Sequence, residues 1–212
     1  MKRPRVLIAD DHQLLADALK GILEPRCEVV GIVANGRDLL RSASKLQPDL
    51  IVVDIAMPEL NGLDAARQLR STMPKVKFIF MTMNEDPFLV GEAFRAGASA
   101  FLHKQEAALE LIDAIEQVLR GKSYVTPSAA RGLSKISLNA PNSRNHMHEP
   151  TPRQREVIQL LAEGNSMKEV ASALKITKRT VAAHKYAVME QLQLKTNAEL
   201  VQYAIKNHII SI

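Results

Sequence analysis

The chain has 212 residues, 46% hydrophobic and 24% charged, with a formal net charge of +5. That balance excludes disordered and collagen-like chains, and the length leaves room for one large domain or two small ones. No apolar run reaches the roughly 18 residues of a membrane span, and the basic start Met1-Lys2-Arg3-Pro4-Arg5 meets two aspartates too soon to be a signal peptide, so no membrane partner is expected. The lone Cys27 has no partner for an internal disulfide; it fits a reducing cytoplasm and reads as a small buried hydrophobe. Charge is distributed unevenly, with −2 over residues 1–121, +4 over 122–148 and +3 over 149–212. An acidic front and a basic back predict two domains with different partners.

In chain order, five short β-rich runs alternate with helix-length amphipathic stretches, which is the pattern of βαβ units. The runs are Val6 to Ala9, Val29 to Val33, Leu50 to Val53, Phe78 to Met81 and Ala100 to Leu102. Between the first two, Leu14, Leu15, Ala18, Leu19 and Ile22 share one face of a helix. Runs three and four, apolar at nearly every position, predict interior parallel strands covered on both faces. The expected fold is an α/β doubly wound (βα)5 parallel sheet over residues 4–121. Residues 122–148, rich in Ser, Pro, Asn and Gly, read as an interdomain linker with a short helix around 128–138; His146 and His148 within it read as solvated.

From residue 149 the period is helical to the end, interrupted at Gly164-Asn165-Ser166, Lys175-Ile176-Thr177 and Leu194-Lys195-Thr196-Asn197. Four short helices are predicted. Thr151 caps the first with Pro152 at its first position, Ser166 and Glu169 form a capping box on the second, and Thr177 caps the third. Helices over 166–174 and 178–191 joined by a three-residue turn have helix-turn-helix spacing.

In an open parallel sheet, ligands bind beyond the carboxyl ends of the strands. The residues there are Asp10, Asp11, Asp54, Thr82 and Lys104. Three converging carboxylates repel one another unless a cation sits among them, and hard oxygen donors suit Mg²⁺. A lysine and a hydroxyl beside them supply the fixed charge and the donor that phosphoryl oxygens need, and a carboxylate can itself become an aspartyl-phosphate. Taken singly, each of these residues is equally a helix cap, a turn residue or a surface side chain.

As an ordered set they carry a resemblance. Ala9-Asp10-Asp11-His12, Asp54-Ile55-Ala56-Met57-Pro58 with Asn61-Gly62, Thr82-Met83, and Ala96-Gly97-Ala98 leading to Phe101-Leu102-His103-Lys104 resemble the receiver domain of bacterial response regulators, which is CheY-like in fold. The resemblance implies that Asp54 accepts a phosphoryl group from a histidine kinase. It further implies that Asp10, Asp11, Asp54 and the backbone carbonyl of Ala56 hold Mg²⁺, that Thr82 and Lys104 bind the phosphoryl oxygens, and that Phe101 is the aromatic switch. Ala56 and Asn84 stand where the family tunes loss of the phosphoryl group, and neither is an acid or base.

Residues 149–212 resemble a LuxR/FixJ-type DNA-binding domain through Thr151-Pro152-Arg153-Gln154-Arg155-Glu156-Val157, Leu161-Ala162-Glu163-Gly164, Lys168-Glu169-Val170-Ala171, Leu174-Lys175-Ile176-Thr177, Thr180-Val181 and His184-Lys185. The whole chain is thus similar to a NarL/FixJ-family response regulator. This implies a bacterial cytoplasmic transcription regulator with a histidine kinase, promoter DNA, a second copy of itself and RNA polymerase as partners. Lys178, Arg179, Thr180 and Lys185 are expected to contact phosphates, with Ala182, Ala183 and Tyr186 nearest base edges, while Leu200, Val201, Ala204 and Ile205 on the last helix are expected to dimerise. Two other readings remain. A Mg²⁺-dependent phosphatase would need a second acid where Ala56 stands, so no enzyme is expected, and a receiver serving only as a phosphate-independent dimerisation module is opposed by its complete acidic set. Dinucleotide binding fails because no G-x-G-x-x-G follows the first strand.

Overall fold

The computed structural model describes residues 3–131 and 149–210 of two compact units. In the first, β1 (Arg5–Ala9), β2 (Glu28–Val33), β3 (Leu50–Asp54), β4 (Lys77–Thr82) and β5 (Ala98–His103) alternate with α1 (Gln13–Leu23), α2 (Gly36–Leu46), α3 (Gly62–Thr72), α4 (Pro87–Ala96) and α5 (Ala107–Leu119). With a short further strand, β6 (Tyr124–Val125), all strands are parallel, in the order β2-β1-β3-β4-β5-β6, so the strand order reverses beside β1. Helices α1 and α5 pack against each other and seal a core of Val6, Ile8, Leu19, Leu50, Val52, Ile79, Leu102 and Leu111, while α2, α3 and α4 pack in succession. Burial at every position of β3, and at all but the first of β4, matches the reading of interior strands. Cys27 is buried as expected, which raises its thiol pKa.

Local chemistry sets the helix starts. Asn35, Asn61 and Asp86 cap α2, α3 and α4 by accepting from the backbone N–H of Asp38, Asp64 and Phe88. Gly97 closes α4 in the left-handed region at φ 107°, which a Cβ would strain. A bridge from Arg67 to Asp64 at 2.7 Å and to Glu92 at 2.6 Å ties α3 to α4.

The sheet does not stop at Gly121. Tyr124–Val125 form a sixth strand, β6, pairing Ala100 with Tyr124 and Phe101 with Val125. Thr126 follows, fully buried, its N–H donating to the carbonyl of Phe101 at 3.2 Å; residues 127–131 are helical, with Ala129 buried. The boundary expected at Gly121 therefore falls too early, because the open edge of β5 needs a partner that the short run Tyr124-Val125 was too brief to announce. The rest of the expected linker helix and both linker histidines lie outside the described residues.

The second unit holds α6 (Pro152–Ala162), α7 (Met167–Leu174), α8 (Lys178–Gln191) and α9 (Asn197–Lys206). Each predicted cap is present, and Gln154 completes a capping box on Thr151. One apolar cluster joins Val157, Leu160, Val170, Leu174 and Val181 across α6, α7 and α8. A second joins Ile158, Val188, Met189, Leu200, Ala204 and Ile209. Lys175 turns the chain between α7 and α8 at φ 54°, and Arg153 donates to the Leu174 carbonyl at 2.8 Å, satisfying the end of α7 from α6.

Because β6 and Thr126 complete the edge of β5, a fragment of residues 1–121 is expected to melt at least about 4 °C below a fragment of residues 1–131, which corresponds to about 1 kcal/mol for a unit of this size. Differential scanning calorimetry of the two fragments checks this; equal melting temperatures would return residues 122–131 to the linker.

Candidate phosphoryl-acceptor site and candidate DNA-binding helix

Parallel pairing delivers the site. Asp54 ends β3 opposite Met81, so the next residue of β4, Thr82, lies one step beyond it, and Thr82 in turn pairs with His103 at the end of β5, immediately before Lys104. The N–H of Lys104 donates to the Thr82 carbonyl at 2.9 Å, carrying the ladder one residue past the strand end. At β1, the Asp10 N–H donates to the Val33 carbonyl at 2.9 Å. The turn after β3 is tight: the Gly62 N–H reaches the Ile55 carbonyl at 2.9 Å, and a Cβ on Gly62 would sit 2.0 Å from the Asp54 carbonyl oxygen. Only glycine allows α3 to start this close to the acceptor strand.

Asp10, Asp54, Thr82 and Lys104 are all buried. The Lys104 Nζ lies 2.7 Å from Asp54 Oδ2 and 2.8 Å from Asp10 Oδ2. Burial opposes its charge, yet the two carboxylates outweigh burial and hold its pKa above the usual lysine value. For Asp54, burial dominates: the carboxyl is pushed up to about 6, with Lys104 and the Ala56 N–H pulling it down and Asp10 pushing it further up. Ala56 N–H donates to Asp54 Oδ1 at 3.2 Å.

Carboxylate oxygens of Asp10, Asp11 and Asp54 and a ring nitrogen of His12 lie within 4.8 Å of one another. Three acidic groups against one lysine leave excess negative charge, and these oxygen donors fit a hard divalent cation such as Mg²⁺. His12 is a member that sequence reasoning did not assign: its Nδ1 sits 2.9 Å from Asp11 Oδ1, and its backbone N–H donates to Asp10 Oδ1 at 2.9 Å. Its adjacency to Asp11 was the signal available. Thr82 Oγ1 accepts from the Asn84 N–H at 3.0 Å, and Phe101 is fully buried, edge-on to His103 with ring centroids 5.7 Å apart. Every residue expected at the phosphoryl site is thus at one edge of the sheet, except that Phe101 lies one layer beneath it. A cavity of about 560 Å³, lined in part by Pro48, Thr72, Pro74 and Leu119, opens at the opposite, amino ends of β3 and β4.

In the helical unit the expected residues separate. Lys178, Arg179 and Ala183 are exposed and Tyr186 is 58% exposed, while Thr180 and Ala182 are half-buried. The Thr180 hydroxyl is committed to Thr177 Oγ1 at 2.9 Å, within the cap. Lys185 requires a correction. It is only 7% exposed because it shares the inward side of α8 with Val181 and Val188, and its Nζ rests 5.4 Å from the Tyr186 ring, so it is not presented to a phosphate backbone. The dimerisation set is corrected as well: Leu200 and Ala204 are buried in the unit's own core, and only Val201 and Ile205 keep partial exposure.

With the charge of Asp54 opposed by burial, the native state of the metal-free protein holds a proton that the unfolded chain has already released between about pH 4 and pH 6. This contribution to stability is complete below about pH 4 and lost as pH rises through 6, a cost of about 3 kcal/mol at neutral pH. Asp54→Asn removes the titrating group, so without added divalent metal it is expected to be more stable than the wild type at pH 7.5 and to lose that advantage at pH 4. Urea denaturation at both pH values measures the gap; a gap independent of pH would show that ionisation of Asp54 is not its source.

Comparison with known proteins agrees with this geometry. The response regulator receiver domain family matches residues 6–116, and the bacterial regulatory proteins of the luxR family match residues 151–204. The transcriptional regulatory protein DegU of Brevibacillus brevis is 31% identical, with 96% of this chain and 93% of that protein covered. The oxygen regulatory protein NreC of Staphylococcus carnosus is 31% identical over 97% of this chain and 99% of its own. Among solved structures, RcsB from Salmonella enterica serovar Typhimurium, bound to promoter P1flhDC in the presence of a phosphomimetic, superposes with a TM-score of 0.61 at 26% identity, covering 95% of this chain and 98% of that one. Among the described residues no helix is long and apolar enough to cross a membrane. With both family domains in order along one chain, and relatives of this kind matched over nearly its whole length, the protein belongs to the NarL/FixJ family of two-component response regulators, transcription regulators with a receiver and a LuxR-type DNA-binding domain.

Proposed function

We propose that Asp54 accepts a phosphoryl group from the phosphohistidine of a histidine kinase, and that the phosphorylated chain binds promoter DNA as a homodimer. The observation that carries this reading is the buried Lys104 ammonium within 2.8 Å of both Asp54 and Asp10 at the carboxyl edge of the sheet. In the transfer, a carboxylate oxygen of Asp54 bonds to phosphorus as the bond from phosphorus to the donor imidazole breaks, and the imidazole leaves with the electron pair. Lys104 leaves its ion pair with Asp54 for the arriving phosphoryl oxygens, and the Thr82 hydroxyl, already facing the loop through Asn84, donates to another. Asp10, Asp11, Asp54 and the carbonyl of Ala56 would hold Mg²⁺, which supplies positive charge against the phosphoryl oxygens. Ala56 and Asn84 offer no acid or base to direct water at the product.

The output would be carried by α8 entering the major groove from a helix-turn-helix, with Lys178 and Arg179 on phosphates. Phosphorylation would then act as a population shift towards the DNA-competent, paired state, with Val201 and Ile205 as the part of α9 still open to a second copy.

Intact mass after incubation with Mg²⁺ and acetyl phosphate tests the acceptor. One phosphoryl adduct is expected on the wild type and none on Asp54→Asn; no adduct on either would leave the receiver as a phosphate-independent module. For DNA, Lys178→Ala and Arg179→Ala are each expected to lower the slope of log affinity against log salt by about 0.9, whereas Lys185→Ala leaves that slope unchanged. Fluorescence anisotropy across a salt series checks all three, and a reduced slope for Lys185→Ala would restore it to the phosphate set.

A further inference from the structure

We propose that α8 reads its DNA site chiefly through the 5-methyl groups of thymine, using Ala183, Tyr186 and Ala187. The inference rests on the DNA-binding reading above. At 100° per residue, Arg179, Ala183, Tyr186, Ala187 and Glu190 fall within one arc of the helix, and all five are exposed. Val181, Lys185 and Val188 fall on the opposite, buried side. The middle of the outward arc is therefore built from two methyl side chains and one aromatic ring. Between Arg179 and Glu190 the arc holds no Asn, Gln or Arg able to make the paired hydrogen bonds that specify adenine or guanine, and Arg179 itself stands in the first turn, where the proposed function places it on a phosphate. In the major groove the only apolar group on a base edge is the thymine methyl, so this surface and that group are chemically matched.

Four further observations favour DNA over another occupant. Lys178 and Arg179 stand exposed at the amino end of the same helix, placing cations where a phosphate backbone would flank the arc. The alanines keep the helix surface low, letting the backbone approach the base edges closely. Tyr186 is held rather than loose: the Lys185 Nζ lies 5.4 Å from its ring, so the otherwise buried lysine orients the ring that projects outward. At the far end of the arc the Glu190 carboxylate can only accept, which suits the cytosine amino group and disfavours bases presenting acceptors there.

The test uses the full chain treated with Mg²⁺ and acetyl phosphate to select double-stranded DNA from a random pool. In the tightest duplex, each thymine is then replaced in turn by uracil, which removes one methyl group and nothing else. We expect one or more positions in each half-site at which uracil weakens binding about fourfold, the effect of losing one buried methyl. In Tyr186→Ser, whose exposed position leaves the core intact, uracil at the thymine facing residue 186 should have no further effect. A selected duplex on which every uracil substitution is neutral would overturn the thymine readout while leaving DNA binding standing. Failure to enrich any duplex over bulk DNA would overturn both, and would turn the exposed Tyr186 face towards a protein surface instead.

Discussion

Everything in the receiver unit is arranged around a buried ion cluster, Lys104 between Asp54 and Asp10. Removing such charges from water costs several kcal/mol per ion, and the one lysine is shared between two carboxylates, so it keeps a partner when either of them is neutral. The fold accepts that cost at one sheet edge and makes it geometrically inescapable. Three central strands end level with one another, Gly62 brings α3 against the Asp54 carbonyl, and the β4–β5 ladder runs one residue past the strands to fix Lys104 against Thr82. Even so, the compensation is incomplete, since the Asp54 carboxyl is pushed up to about 6. A site left with excess negative charge is a site that gains from a cation and from a group that changes how that charge is shared.

The consequence of the cluster extends along β5. Lys104 follows His103, which lies edge-on to the buried Phe101, whose carbonyl in turn accepts from Thr126. Ser128 bonds Glu106 at 2.7 Å, two residues beyond Lys104. The segment after β6 is thus hydrogen-bonded to the strand that leads into Lys104 and to the turn that follows it.

The helical unit solves a different problem, presenting a defined surface from a small core. Two apolar clusters, one on each side of α6, hold α8 from within, and the caps at Thr151, Ser166 and Thr177 fix where each helix begins. With Val181, Lys185 and Val188 turned inward, the outward arc follows by default. Beyond the cations of its first turn, its character comes from small and aromatic residues.

Much of this was legible in the sequence. Strand-end aspartates, the alternation of β-rich runs with amphipathic stretches, the cap residues and the helix-turn-helix spacing are local signals, each recorded within a few neighbouring residues, and the order of elements followed from them. What the tertiary structure alone decided are matters of partner and direction. The Tyr124–Val125 strand is too short to announce itself and exists because β5 has an open edge. Lys185, Leu200 and Ala204 lie on stripes that chain periodicity places near an interface, yet packing among four helices turns them into the core. Asp54 joins Asp10, Asp11 and His12 only because β1 ends beside β3. A sequence specifies which residues share a face of an element; which face the rest of the protein covers depends on contacts between segments far apart in the chain, and it is that covering that separates a side chain which can meet a ligand from one which cannot.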